Sequence, residues 1–144
     1  PLKLGGLTMD WTEHLEGHSD GDVLLHAIAS SILGSAGLGD LGGRFPTSDP
    51  KYKDYDSALF LTESSGLIGD LGWEIIHIDA TIIAQQPRLS SYISPIEKRI
   101  KSLLKSKNPS LSVNVKVTST DGLGTIGKGE GIASQSIVTV RQQK

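Results

Sequence analysis

Residues 18–49 read HSDGDVLLHAIASSILGSAGLGDLGGRFPTSD. The segment opens with polar residues, continues as an apolar stretch, and ends in a run of glycines and turn-forming residues. The sequence Asp20-Gly21-Asp22 supplies a helix start, because a short acidic side chain accepts hydrogen bonds from the free amides of a first helical turn. Apolar residues then recur at helical spacing, which predicts a helix from about Asp22 to Ser35, ended by Gly37 and Gly39.

His26 lies four residues after Asp22, so the two side chains share one face of this helix. An aspartate in that position can accept one ring N–H while the other ring nitrogen faces a metal ion. A lone helical histidine is also commonly structural or simply exposed. The residues alone leave both interpretations open.

The composition restricts the class of protein. The 144 residues contain no cysteine, which excludes disulfide bonds and thiolate metal sites, and the length predicts one domain over residues 1–144. No apolar run reaches the length of a membrane span, and a net charge of −2 argues against nucleic-acid binding. We therefore expect neither nucleic acid nor a membrane as a partner.

The charges are unevenly distributed along the chain. Residues 1–72 hold 11 acidic and 4 basic residues, whereas residues 73–144 hold 5 acidic and 10 basic ones. One interpretation is a site in which acids of the first half bind metal and hydroxyl groups while bases of the second half bind phosphate. Ordinary surface variation explains the difference equally well.

The remaining chain alternates between strand and helix patterns. Gly5 and Gly6 separate two short apolar runs, which predicts a hairpin, and residues 42–54 have the turn chemistry of an irregular surface segment. The further elements expected are a helix over 56–71, a strand over 73–84, a helix that starts with a capping box at Ser94–Glu97 and has Pro95 at its first position, and strands over 111–118 and 132–141. This order predicts an α/β (α+β) sandwich in which helices pack on one face of a mixed β-sheet.

Two later stretches have the composition of binding loops. Five glycines surround Lys128 within residues 122–131, and glycine amides can approach an anion closely while the lysine adds positive charge. Residues 84–89 follow the long strand and contain Pro87, so ordered backbone groups at the strand end could recognise the edge of a base. A plain hairpin loop and a strand that simply ends at a proline are the alternatives.

Three separated motifs resemble one family. HSDGDVLLHA with GLGDLG and FPTSD, then DATIIAQQPRL at 79–89, then VNVKVTSTDGLGTIGKGEGIA at 113–133 closely resemble the signature of the 2-C-methyl-D-erythritol 2,4-cyclodiphosphate synthases. The resemblance covers nearly the whole chain. It implies a metal-dependent phosphorus–oxygen lyase of the non-mevalonate pathway of isoprene biosynthesis. The implied location is the cytoplasm, or a plastid-type organelle in a eukaryote.

The implied reaction converts 4-diphosphocytidyl-2-C-methyl-D-erythritol 2-phosphate to the 2,4-cyclodiphosphate and CMP. By the same resemblance, His18 and Ser119 match the positions that stabilise the transition state. Zinc, or a similar divalent metal, would bind His26, and Mg²⁺ or Mn²⁺ would bind Asp121. The positions expected to contact the substrate are Ser19, Asp40, Leu41, Gly42, Phe45, Pro46, Thr47, Ser48, Asp49, Ala84, Gln85, Gln86, Pro87, Arg88, Leu89, Ser90, Thr118, Thr120, Thr125 and Lys128.

Within that set the resemblance implies a division of labour. Residues 40–42 would hold the erythritol, residues 45–49 would close over it, and residues 84–89 would form the cytosine pocket. Several positions depart from the residue usual in the family, namely aspartate for glutamate at 121, lysine for arginine at 128, serine for threonine at 119, arginine for lysine at 88 and threonine for aspartate at 47.

The resemblance also implies an assembly and a fuller metal site. The family is trimeric, with each site shared between neighbouring chains, so a homotrimer is expected. Its zinc has two further ligands, an Asp-x-His pair on an N-terminal strand, and residues 1–6 resemble the segment just after that strand. We therefore expect that strand upstream of Pro1. The alternative function is a non-catalytic nucleotide or isoprenoid-phosphate binding protein of the same fold.

Overall fold

The computed structural model describes residues 1–16 and 20–143. None of the helices described there is long and apolar enough to cross a membrane. In chain order the elements are β1 (Leu2–Leu4), β2 (Leu7–Met9), α1 (Val23–Ser35), α2 (Leu41–Arg44), a 3₁₀ turn (Pro50–Tyr52), α3 (Ser57–Asp70), β3 (Trp73–Ile83), a second 3₁₀ turn (Ser90–Tyr92), α4 (Ile93–Leu104), β4 (Ser112–Thr118), α5 (Gly124–Gly127) and β5 (Ala133–Gln142).

Strand β3 is the centre of the main sheet, whose order is β4-β3-β5. It pairs in parallel with β4 and antiparallel with β5, so Ile83 lies opposite both Thr118 and Ala133. The predicted mixed sheet is therefore confirmed. Strands β1 and β2 form a separate antiparallel hairpin, as the two glycines between them predicted.

The helices cover one face of this sheet. Helix α1 packs on β5 and α3, and α4 packs on β4. Ile78, Ala80 and Ile82 alternate along β3 and are fully buried beneath the helices, as expected for side chains that share one face of a strand. The residues between them are at least partly exposed on the opposite face, where Ile137 of β5 is 71% exposed. The sheet thus has one covered face and one open face.

Asp22 fixes the hairpin to the start of α1. Its carboxylate accepts hydrogen bonds from the amides of Gly5 and Gly6 at 3.0 and 2.8 Å and from the amide of Leu25 at 3.0 Å. Burial raises the pKa of Asp22 above its ordinary value even though the three amides favour the ionised form. Gly5 has φ +62°, and a Cβ there would lie 2.5 Å from Cγ2 of Ile96, so the hairpin turn also fits closely against α4.

Two local predictions were wrong. The segment expected to be irregular contains α2 and the first 3₁₀ turn, because Asp40 and Asp49 accept the amides of Gly43 and Lys51 and so start each turn. The capping box at Ser94–Glu97 is absent, since α4 already begins at Ile93 without a side-chain cap. Glu97 instead accepts a hydrogen bond from the amide of Val115 in β4 at 2.8 Å.

Candidate active site at the carboxyl ends of the parallel strands

Two of the predicted binding segments meet where β3 and β4 end. We call residues 84–90 the post-β3 segment and residues 119–131 the post-β4 segment. Parallel pairing brings the ends of the two strands to the same edge of the sheet, and the amide of Ala84 donates to the carbonyl of Thr118 at 2.9 Å. Beyond the strands, Oε1 of Gln85 accepts a hydrogen bond from the amide of Gly122 at 3.0 Å. One chain therefore places the two segments side by side.

The start of the post-β4 segment is a tight polar turn. The Ser119 hydroxyl oxygen accepts from the amide of Asp121 at 3.1 Å, and the hydroxyl donates to Oδ1 of Asp121 at 3.3 Å. Asp121 adopts φ +54°, an uncommon conformation for an aspartate that the turn holds in place. The hydroxyl of Thr120 donates to the carbonyl of Leu123 at 2.6 Å. Ser119 and Asp121 are both exposed, so they are accessible to a ligand.

The second half of the post-β4 segment folds back on the first half. Residues 124–127 form the short helix α5, and the amide of Lys128 donates to the carbonyl of Gly124 at 3.1 Å. A Cβ at Gly127 would lie 2.2 Å from the carbonyl carbon of Gly122, so only glycine fits there. The segment is therefore a packed loop with a helical turn rather than a plain hairpin, and it presents Lys128 as an exposed cation.

The post-β3 segment alternates between anchored and exposed residues. Ala84 and Leu89 are 5% and 2% exposed and fix its two ends in the core. Gln86 and Arg88 between them are exposed, and the Gln86–Pro87 peptide bond is cis. A segment anchored at both ends keeps its central backbone groups in a fixed position, which suits recognition of a flat ligand.

The predicted metal and erythritol residues lie around a cluster of aromatic rings. The His26 ring packs edge-on against Phe60, with ring centroids 5.7 Å apart. The centroid of the Phe45 ring lies 4.9 Å from that of Phe60 and 5.5 Å from that of Tyr52. Phe45 is only 8% exposed, so its ring anchors the segment 45–49 in the core, while Thr47 and Ser48 are exposed.

Asp40 has a defined local role beside this cluster. Its Oδ1 accepts the amide of Gly43 at 2.7 Å and so starts α2, whose first residues are Leu41 and Gly42. The carboxylate is exposed, which leaves its second oxygen accessible to a hydroxyl group.

His18 and Ser19 lie outside the described residues. The residue that follows them, Asp20, accepts hydrogen bonds from the Ser57 hydroxyl and from the Ser57 amide at 2.8 Å, and lies 3.9 Å from the Lys3 ammonium. Burial alone would raise the pKa of Asp20, but the Ser57 bonds and the other partners outweigh it and lower the pKa below its ordinary value of 3.8.

Sequence reasoning had placed Asp20 only in the Asp20-Gly21-Asp22 helix start and had not predicted its contact with Ser57. The only signal was its place directly after His18 and Ser19. A neighbouring residue is equally constrained, because a Cβ at Gly21 would lie 2.3 Å from the carbonyl oxygen of Leu15. The chain just after the two predicted site residues is thus tied both to α3 and to the chain before them.

The described residues do not complete a metal site. Across residues 1–16 and 20–143, no three histidine, aspartate or glutamate side chains lie close enough together to hold a metal ion. Of the expected zinc ligands this stretch supplies His26, and Asp121 stands among hydroxyl and amide groups rather than other carboxylates. A single side chain cannot fix the coordination of zinc.

Comparisons with known proteins identify the family. The profile of the YgbB family matches residues 1–141. The 2-C-methyl-D-erythritol 2,4-cyclodiphosphate synthase of Clostridium acetobutylicum is 52% identical over 136 residues, which cover 94% of this chain and 86% of that protein. The enzyme of the same name from Moorella thermoacetica is 48% identical over 137 residues, covering 95% of this chain and 83% of that protein.

Solved structures agree with the sequence matches. The CDP complex of IspF from Plasmodium falciparum superposes with a TM-score of 0.84 at 31% identity, over 99% of this chain and 85% of that one. The bifunctional IspDF of Campylobacter jejuni superposes with a TM-score of 0.92 at 38% identity, and the match covers 99% of this chain and 38% of the longer one. With its mixed sheet, its two joined segments and these relatives, the chain belongs to the YgbB family.

Proposed function

We propose that this protein is a 2-C-methyl-D-erythritol 2,4-cyclodiphosphate synthase. The observation that carries the proposal is the junction of the post-β3 and post-β4 segments, where Gln85 bonds to Gly122. A segment suited to a flat base beside a glycine-rich segment with an exposed lysine matches a ligand that contains cytidine diphosphate. The names of the relatives point to the same reaction, and the Plasmodium falciparum relative was solved with CDP. These findings favour the synthase over a non-catalytic binding protein.

The proposed reaction is an intramolecular phosphoryl transfer. An oxygen of the 2-phosphate attacks the β-phosphorus of 4-diphosphocytidyl-2-C-methyl-D-erythritol 2-phosphate. The bond from that phosphorus to the oxygen shared with the α-phosphate breaks, and CMP leaves with this oxygen. Because both reacting groups belong to one molecule, the protein acts by folding the substrate back and by stabilising the charge that develops on the phosphates.

The residues divide this work between the two segments. In the proposal, the backbone of the post-β3 segment binds cytosine, and the hydroxyls of Thr118 and Ser119 donate to phosphate oxygens. Lys128 places a positive charge beside them. The hydroxyl of Ser119 is 3.3 Å from the Asp121 carboxylate, a long hydrogen bond that a phosphate oxygen can replace. Asp40 accepts a hydrogen bond from an erythritol hydroxyl.

The proposed activity depends on metal ions. The resemblance assigns zinc to His26 and Mg²⁺ or Mn²⁺ to Asp121, which makes the enzyme a metal-dependent phosphorus–oxygen lyase. Divalent ions at such positions polarise phosphoryl oxygens. The described residues complete neither ligand set.

We also propose a homotrimer in the cytoplasm. The open face of the sheet supports an assembly, because Ile137 is 71% exposed there. Asp79 and Lys116 on the neighbouring strands form an ion pair at 2.7 Å. In such a trimer, His26 and the erythritol residues of one chain would face the post-β3 and post-β4 segments of the next.

Release of CMP tests the reaction. The purified protein, incubated with the diphosphocytidyl substrate, Zn²⁺ and Mg²⁺, is expected to release CMP, and Ser119→Ala is expected to slow the release strongly. Ser110→Ala is the matched control, because that exposed serine lies in the loop before β4 and uses only its amide, bonded to Asn108. A folded, metal-loaded sample that binds CDP but releases no CMP would support the binding-protein alternative instead.

A further inference from the structure

We infer that Gln85 is a positioning residue that couples the base-binding half of the site to its phosphate-binding half, through the hydrogen bond that its Oε1 accepts from the amide of Gly122. The inference rests on the proposed function, because it concerns how the same site holds the two halves of CDP. The bond is 3.0 Å long and joins residues 37 positions apart.

This bond is the side-chain connection between the two segments. Within the described part of the chain, the nearest other hydrogen bond runs from the Ala84 amide to the carbonyl of Thr118, the last residue of β4. Beyond that point the two segments do not pair as strands. Of the described side chains in the post-β3 segment, Gln85 is the one with a hydrogen bond to the post-β4 segment.

Gly122 is the point at which this connection can act on both parts of the post-β4 segment. It follows Asp121 directly and has φ +79°, so its amide lies at the end of the Ser119–Asp121 turn. Its carbonyl carbon also lies against Gly127, the residue before Lys128, at a distance that leaves no room for a Cβ. Fixing the amide of Gly122 therefore fixes the turn and the position of Lys128 together.

The chemistry of glutamine suits this role. Its amide oxygen accepts the Gly122 hydrogen at the length of an extended side chain, whereas a hydrocarbon side chain of the same length offers no strong acceptor. The bond is exposed, so water can replace it when the protein folds without it. Its loss should therefore leave folding intact but let the two segments move independently, which lowers the affinity only for a ligand that spans both.

Binding of ligand fragments separates this role from direct contact. Calorimetry with Mg²⁺ present measures the affinities for cytidine, inorganic diphosphate and CDP. The three proteins compared are the wild type, Gln85→Met and Gln142→Met. Gln85→Met keeps the length of the side chain without its amide, and Gln142→Met is a control at an exposed position of β5. Since one hydrogen bond corresponds to about three- to tenfold in affinity, we expect Gln85→Met to weaken CDP binding by that factor and to leave both fragments within twofold. The control should match the wild type for all three ligands.

Amide exchange tests the hydrogen bond itself. We expect the Gly122 amide to exchange more slowly in the wild type and in Gln85→Glu, which retains an Oε acceptor, than in Gln85→Met. Equal exchange in all three proteins would overturn the inference, and so would a loss of cytidine affinity in Gln85→Met, since that would mean direct contact with the base. If the wild type itself bound no CDP, the proposed function would fail, while the exchange experiment would still decide whether Gln85 holds Gly122.

Discussion

At the scale of single residues, the proposed phosphate side of the site contains a lysine. Lys128 is exposed directly after α5, in a loop that Gly127 packs against Gly122. A lysine ammonium is a compact charge on a flexible stem, whereas an arginine guanidinium can make two parallel hydrogen bonds to phosphate oxygens. Position 128 thus carries a positive charge but lacks the paired N–H donors of an arginine.

Replacing Lys128 tests its contact with phosphate. Lys128→Ala should weaken CDP binding by about 1–3 kcal/mol, the range for a hydrogen bond to a charged group. Lys128→Arg should preserve or improve it, because the fork restores bidentate contact. Calorimetry with CDP measures both, with Lys107→Ala, in the loop between α4 and β4, as the control. Equal affinity of wild type and Lys128→Ala would place this lysine outside the site.

The Asp20–Ser57 contact makes a prediction about pH. Because the folded pKa of Asp20 lies below 3.8, the folded state favours the ionised carboxylate. Its stabilisation is then fully present above the unfolded pKa and is lost as the pH falls through the folded pKa. Asp20→Asn should therefore melt at a lower temperature than the wild type at pH 7, and the difference should shrink below about pH 4. A difference that grows on acidification would contradict this account of Asp20.

At the scale of elements, the helices and strands with visible end signals were predictable. Asp22 and Asp56 accept amides of the first turns of α1 and α3, and both helices begin one residue after these caps. The run of β-branched residues predicted a strand over 73–84, and β3 begins at the predicted residue and ends one residue earlier. The start of α4 was not predictable, because the Ser94–Glu97 pattern is local while the partner of Glu97 is a strand 18 residues further on.

The candidate site was predictable in its parts but not in its assembly. The resemblance singled out the post-β3 and post-β4 segments separately. Their contact depends on β3 and β4 being parallel neighbours, which no local pattern specifies. The role of Gln85 was missed for the same reason, because its partner Gly122 is brought near only by that pairing.

The Glu97 contact gives a prediction for stability. β4 is an edge strand, and the half-buried Glu97 satisfies the outward amide of Val115. Glu97→Ala should lower the free energy of unfolding by about 1–3 kcal/mol, since it removes a hydrogen bond to a charged acceptor. Glu97→Gln keeps an acceptor and should lower the free energy of unfolding by a smaller amount. Urea unfolding measures both, with exposed Lys98→Ala as the control; equal effects of Glu97→Ala and Lys98→Ala would show that the bond contributes little.

At the scale of the whole molecule, the open face of the sheet is the natural place for an assembly contact. At the centre of β5, Ile137 is 71% exposed on this face and would be covered by a contact between chains. The ion pair of Asp79 and Lys116 lies on the same side of the sheet, and the pair, with Asn114, lowers the pKa of Asp79. Apolar and polar groups on this face together suit a contact between copies of the chain.

Disrupting this face tests the trimer. Ile137→Lys should shift the proposed trimer toward monomer, because an unpaired charge buried in the contact between chains is costly. Light scattering at micromolar concentration measures the mass, and Thr139→Lys, further along β5, tests how local the contact is. A wild-type protein that is monomeric under these conditions would rule out the proposed trimer.

The most direct test of the central claim is the mass balance of the reaction. The wild-type protein is given the diphosphocytidyl substrate with Zn²⁺ and Mg²⁺, and the products are followed by phosphorus NMR. We expect CMP and a cyclic diphosphate of methylerythritol in equal amounts, with no free CDP and no inorganic phosphate. Unchanged substrate in the presence of folded, CDP-binding protein, or CMP formed together with an open-chain bisphosphate, would contradict it.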